Sequence, residues 1–175
     1  MTIFYAVLAL VAVQRGGELI LARANTKRLQ SRGAIEVDRI GYIWLIVLHG
    51  GWLAALAATV PAATLPDWPL LAVFGLLQAG RLWVIVSLGR RWTTRLIVLP
   101  GAPLITRGPY RWLRHPNYLI VTAEVAILPL AFDAIAIAVV ASAVNALLLA
   151  RRIRIEQTML DAASYHIRET LPRRS

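Results

Sequence analysis

Eleven consecutive residues, Gly108-Pro109-Tyr110-Arg111-Trp112-Leu113-Arg114-His115-Pro116-Asn117-Tyr118, crowd two arginines, a histidine and three aromatic rings between long apolar runs. Guanidinium and imidazole groups donate to anions, and aromatic faces attract cations. Such backbone and charge are costly in hydrocarbon, so the segment belongs at a membrane boundary or on a polar cavity, and either place favours chemistry. Polar residues inside the apolar runs are the other candidates. Arg15 and Glu18, three apart on one helix face, form either an ion pair locking helices together or part of a substrate cavity. Arg81, near Trp83, either snorkels to the interface or belongs to a site. Glu124, about two turns into its apolar run, requires a partner or a cavity, with Arg81 or Arg15 as the expected cation. His49 reads foremost as a hydrogen-bonded packing histidine.

The elements that must position these residues are membrane helices. The chain is 58% hydrophobic and 16% charged, with a mean hydropathy of +0.63 over 175 residues, and the apolar residues fall in blocks, which predicts a polytopic all-α membrane bundle. The blocks run roughly over 3–22, 41–63, 69–88 and 118–150. The first three each match the ~20 residues of a span. The fourth, at ~1.5 Å per residue, exceeds a ~30 Å hydrocarbon core. Pro129 and Asp133 divide it into a helical hairpin turning near 130–133, which makes five helices in all.

Arginine placement supports that count. Cations gather between blocks one and two (Arg23, Lys27, Arg28, Arg32, Arg39), between three and four (Arg90, Arg91, Arg95, Arg107, Arg111, Arg114) and after the last (Arg151, Arg152, Arg154, Arg168, Arg173, Arg174). The other two connections carry only Asp67 and Asp133. By the positive-inside rule the N-terminus lies outside and the C-terminus in the cytoplasm. The net charge of +10 is thereby assigned to topology and anionic headgroups, not to nucleic acid. The absence of cysteine removes disulfides, thiolate metal sites and cysteine nucleophiles, and no metal site is expected. Residues 1–22 lack a basic leading region, so no secretory signal is expected there. No internal repeat or domain-separating linker interrupts the chain, so 1–175 reads as one domain. Its oligomeric state is left open.

The Arg114-His115-Pro116-Asn117-Tyr118 core resembles the signature of the isoprenylcysteine carboxyl methyltransferase family, integral membrane enzymes that use S-adenosylmethionine. Arg91-Trp92-Thr93-Thr94-Arg95-Leu96-Ile97-Val98-Leu99-Pro100-Gly101, Arg23-Ala24-Asn25 and Arg32-Gly33-Ala34-Ile35-Glu36 resemble a bacterial branch of that family, linked with methylating enol oxygens of long-chain polyketide lipids such as alkylpyrones. The resemblance spans about 18–165, with its specificity concentrated in 91–118.

The resemblance implies a cofactor site facing the cytoplasm at the bacterial inner membrane, built mainly from 91–118 and 151–166. Cofactor-binding candidates are Tyr110, Arg114, His115, Pro116 and Tyr118, joined by Glu156 and Tyr165 after the last span. Arg114 and His115 suit the carboxylate or ribose of S-adenosylmethionine, with Arg111 an alternative, and Tyr110, Trp112 and Tyr118 suit the adenine or the sulfonium. Arg152, four residues before Glu156, Glu124 and Arg81 are the candidates on the catalytic side. S-adenosylhomocysteine is the expected product, membrane lipids are the surroundings, and the acceptor is a lipophilic molecule with an acidic oxygen, enol or carboxylate. A membrane thiol methyltransferase and a non-catalytic lipid-binding or assembly protein of the same fold are the alternatives.

Overall fold

The computed structural model describes residues 2–103 and 105–170, the last of these, 160–170, by their helical course alone. Five helices account for nearly all of it: α1 (Ile3–Gln30), α2 (Arg39–Thr59), α3 (Trp68–Leu88), α4 (Pro116–Leu130) and α5 (Ile135–Thr170). Four of them are long and apolar enough to cross a membrane, and α4 is a shorter apolar helix. At ~1.5 Å per residue the 15 residues of α4 reach only ~22 Å. The protein is an all-α polytopic membrane bundle.

The hairpin is where the sequence places it. Leu130 ends α4, and Ala134 N donates to Pro129 O at 2.9 Å across the turn. Asp133 adopts φ 57, a left-handed conformation that a short polar side chain tolerates. The two halves are unequal, however: α5 does not stop at Ala150 but continues as one 36-residue helix through the basic segment. No proline or glycine interrupts it after 135, so nothing breaks the helix where hydrocarbon gives way to charge.

One apolar core holds the hairpin-turn half together, with Phe4, Val11, Trp52, Leu56, Phe74, Val125, Leu128, Phe132 and Ala141 buried across all five helices and the turn. Asp67 caps α3 by accepting from Leu70 N at 2.9 Å, and its own N–H donates to Ala131 O at 2.8 Å, tying the α2–α3 connection to the hairpin turn. Halfway along, the fully buried Asn145 on α5 donates to Thr122 on α4 at 3.2 Å.

The opposite end is organised by polar ties that hydropathy does not reveal. A two-residue antiparallel ladder joins β1 (Ile35–Glu36) to β2 (Ile97–Val98), and Glu36 accepts two hydrogen bonds from Arg95 Nη1. Asp38 caps α2 through Gly41 N and also takes Arg151 of α5. A side chain at Gly41 would strike both. Asn25, buried on α1, donates to Trp92 O at 2.8 Å, which fixes the start of the 92–97 strap. Gly108, at φ 60, sits against Ser87 where a Cβ has no room, so the chain returns to α4 close beside α3.

Candidate active site

A cavity of about 600 Å³ opens between α1, α2, the 91–97 strap, the 110–118 segment and the polar end of α5. Its walls change character along their length. At the polar end stand Tyr110, Arg114, His115, Asn117, Tyr118, Arg152 and Glu156, and deeper come Leu45, His49, Leu53 and Val121.

Local structure explains how the polar end forms. Pro116 is the first residue of α4 and is buried there, a position where its missing N–H costs nothing. Starting the helix at Pro116 puts His115 in the cap position and Tyr118 in the first turn, so both rings project toward α5. They stack with centroids 5.2 Å apart and planes within 10°. On α5, Arg152 and Glu156 are one turn apart and meet Tyr118 together: its hydroxyl accepts from Arg152 Nε at 3.0 Å and donates to Glu156 Oε2 at 3.1 Å.

His115 Nδ1 lies 3.8 Å from the same Glu156 oxygen, too far for a hydrogen bond. His115 and Glu156 thus stand side by side on one wall of the cavity. Arg152, only 6% exposed, also donates Nη1 to Thr94 O at 3.0 Å, and its Nη2 has no partner among the described residues. Burial beside Tyr118 and Glu156 pushes the Tyr110 phenol up to about 12, so it is neutral at any physiological pH.

Below this end lies a buried ionic cluster. Arg81 clasps Glu18 through Nε and Nη2 and reaches Glu124 through Nη1 at 3.1 Å. Arg15 spans the same two acids, at 3.0 Å to Glu18 and 2.6 Å to Glu124. Gln14 and Gln78 complete the shell with bonds to Glu18 and Glu124. Two guanidiniums thus neutralise two carboxylates, and α1, α3 and α4 are locked at one depth. Unpaired, each would be prohibitive in hydrocarbon. Arg81 therefore does not snorkel to the interface; it is 5% exposed and committed to Glu18 and Glu124.

The expected residues consequently separate into groups. Tyr110, Arg114, His115, Tyr118, Arg152 and Glu156 come together on the cavity, and Arg15, Glu18 and Arg81 line it deeper. Glu124 does not reach the wall; it is fully buried behind Arg15 and Arg81 and positions them. Pro116 acts through the backbone it starts. Arg111 and the exposed Trp112 instead pack on each other outside the cavity, 5.5 Å from guanidinium to ring. The Tyr165 side chain lies outside the described residues.

Sequence reasoning missed other wall residues. Tyr42 faces the cavity under the Arg95 guanidinium, 4.7 Å from its ring centroid. Thr93, Thr94, Leu96 and Ile97 contribute the strap side. The available signal was the stripe Tyr42, Leu45, Ile46, His49, Leu53, which repeats at helical spacing within an otherwise uniform apolar run.

Residues 70–162, from the start of α3 to beyond Glu156, match the Isoprenylcysteine carboxyl methyltransferase (ICMT) family. The chain belongs to that family. As an ICMT family member it is a membrane methyltransferase, and the matched region contains both the Arg114–Tyr118 motif and the Arg152/Glu156 face that meets it. This ICMT family protein is also 36% identical to "Uncharacterized protein YpbQ" of Bacillus subtilis (strain 168) over 165 residues, which cover 92% of this chain and 98% of that protein. No solved structure matches it.

Proposed function

We propose that the protein transfers a methyl group from S-adenosylmethionine to an acidic oxygen, enol or carboxylate, of a lipophilic acceptor, with the cofactor entering from the cytoplasm and the acceptor from the bilayer. The observation that carries this reading is the single cavity whose polar end, at His115, Tyr118, Arg152 and Glu156, runs without a break into apolar walls at membrane depth. A polar nucleotide and a lipid head need such a joined pair of environments.

The residues present fit the cofactor. Two buried polar atoms of wall residues, Asn117 Oδ1 and Thr94 Oγ1, have no hydrogen-bond partner among the described residues, which suits a ligand with hydroxyl and amino groups. Glu156 offers a carboxylate to such donors, and Arg114 and His115 offer donors to a carboxylate. The faces of Tyr110 and Tyr118 suit a cationic sulfonium. When bound, S-adenosylmethionine supplies a methyl group activated for in-line displacement, a reaction that rests on positioning.

Arg152 holds Tyr118 and the Thr94 carbonyl while keeping Nη2 for the acceptor's reacting oxygen. Glu124, through Arg15 and Arg81, fixes the depth of the cavity floor. Long-chain enols of the alkylpyrone type are the finer expectation, because an acidic enol needs little help from a base. Titration with S-adenosylhomocysteine in detergent tests the reading: saturable micromolar binding supports it, and absence of binding removes it. Screening lipid extracts for transfer of labelled methyl groups then identifies the acceptor.

A further inference from the structure

His49 presents a hydrogen-bond acceptor to the deep part of the cavity. It lies ten residues into α2 from Arg39, so at ~1.5 Å per residue it stands about 15 Å from the helix start, near the middle of a ~30 Å core. Its Nδ1 is 2.8 Å from Leu45 O. A carbonyl oxygen only accepts, so Nδ1 carries the proton and Nε2 keeps its lone pair in the neutral ring. The Trp52 ring meets the imidazole edge-on with centroids 6.4 Å apart.

Nε2 has no protein partner among the described residues and is not sealed in the packing, and His49 lines the cavity. The terminal nitrogens of Arg15, which also lines the cavity, are committed to Glu18 and Glu124. When a lipid fills the deep part of the cavity and displaces its water, the partner of Nε2 must be a donor that the occupant brings.

We propose that His49 is a specificity-determining residue which accepts a hydrogen bond from a hydroxyl on the lipid, selecting acceptors that bind with their O–H intact, phenols and enols in the neutral form, over fatty carboxylates, which bind ionised. The proposal rests on the methyltransferase reading above and narrows its acceptor class. An ionised carboxylate has no proton for Nε2 and sets its own lone pairs against it. An enol or phenol satisfies the imidazole while its apolar body lies along Leu45, Leu53 and Val121.

The test uses the full chain in lipid nanodiscs with 3-pentadecylphenol and hexadecanoic acid as probes, at roughly pH 8, where a phenol keeps its proton and a carboxyl has lost it. Binding is read as thermal stabilisation of the protein already saturated with S-adenosylhomocysteine. The phenol should bind the parent chain more tightly than the acid. His49→Phe should weaken the phenol by about fivefold to tenfold, the scale of one lost hydrogen bond, and leave the acid unchanged. His49→Gln, whose amide oxygen accepts, should recover part of the loss. Equal binding of the two probes, no phenol binding, or a His49→Phe loss shared by both probes overturns the proposal. S-adenosylhomocysteine affinity is measured first in each variant: its absence from the parent removes the methyltransferase reading, and its loss in His49→Phe alone marks a misfolded variant and leaves His49→Gln to decide. In that case His49→Gln must bind the phenol more weakly than the parent with the acid unchanged, and any other result overturns the proposal.

Discussion

Tyr118 and Glu156 are joined by a 3.1 Å hydrogen bond from the phenol to Oε2, which fastens the first turn of α4 to α5 at the polar end of the cavity. The same hydroxyl accepts from Arg152, so one oxygen orders a cation and an anion on the cavity wall. Tyr118→Phe keeps the ring stacked on His115 and removes only that oxygen. Isothermal titration with S-adenosylhomocysteine should show a loss of about 1.5 to 3 kcal/mol, the scale for a bond to a charged group. Unchanged affinity would separate the bridge from cofactor binding.

His115→Ala and Glu156→Ala should each weaken S-adenosylhomocysteine binding by roughly 1 to 3 kcal/mol. Because the two side chains approach to 3.8 Å on one wall, their effects should not add. A double variant whose loss equals the sum of the single losses contradicts a shared subsite. Thermal stability should change little, since both side chains are only partly buried.

Glu124→Gln preserves shape and removes one of the two anions facing Arg15 and Arg81. A cationic excess then remains buried, at a cost of about 3 to 5 kcal/mol, and the unfolding midpoint in detergent should fall sharply. Adding Arg15→Gln restores neutrality and should recover part of the loss. Cofactor affinity of the folded fraction should persist while acceptor turnover falls, because Glu124 stands behind the cavity wall. Lost cofactor binding with unchanged stability would assign Glu124 to the nucleotide pocket.

The Tyr110 phenol, raised to about 12 by burial, keeps its proton where an unfolded tyrosine loses it near 10. The folded state therefore binds more protons over that interval, and stability present below about pH 10 is lost as pH rises toward 12. Spectrophotometric titration of tyrosinate, with Tyr110→Phe as the difference, should lose one late-titrating group. Disappearance of an early-titrating group in that variant contradicts the assignment.

Single cysteines introduced at Asp67 and Asp133 should react with an impermeant thiol reagent added outside, and cysteines at Arg32 and Arg107 should not, if alternate basic loops face the cytoplasm. Labelling of Asp133→Cys only from the cytoplasmic side contradicts the five-helix arrangement.

The helices, the hairpin at 130–133 and the polar-aromatic motif were legible in the chain because hydrocarbon is a severe solvent. It admits few charges and no unbonded backbone, so apolar blocks and arginine clusters mark spans and ends locally. The Arg15/Glu18 adjacency and the need of Glu124 for a cation were readable for the same reason. Pairings between distant segments were decided only by tertiary structure. Sequence allowed Arg81 to snorkel, and the fold committed it to Glu18 and Glu124 because two acids at the same depth had to be neutralised. The meeting of Glu36 with Arg95 depends on the ladder between two distant connections, and the placing of His115 beside Glu156 and the turning of Tyr42 and His49 into the cavity depend on helix rotation. Rotation within a bundle follows from how five helices pack together, and no single apolar stretch carries that information.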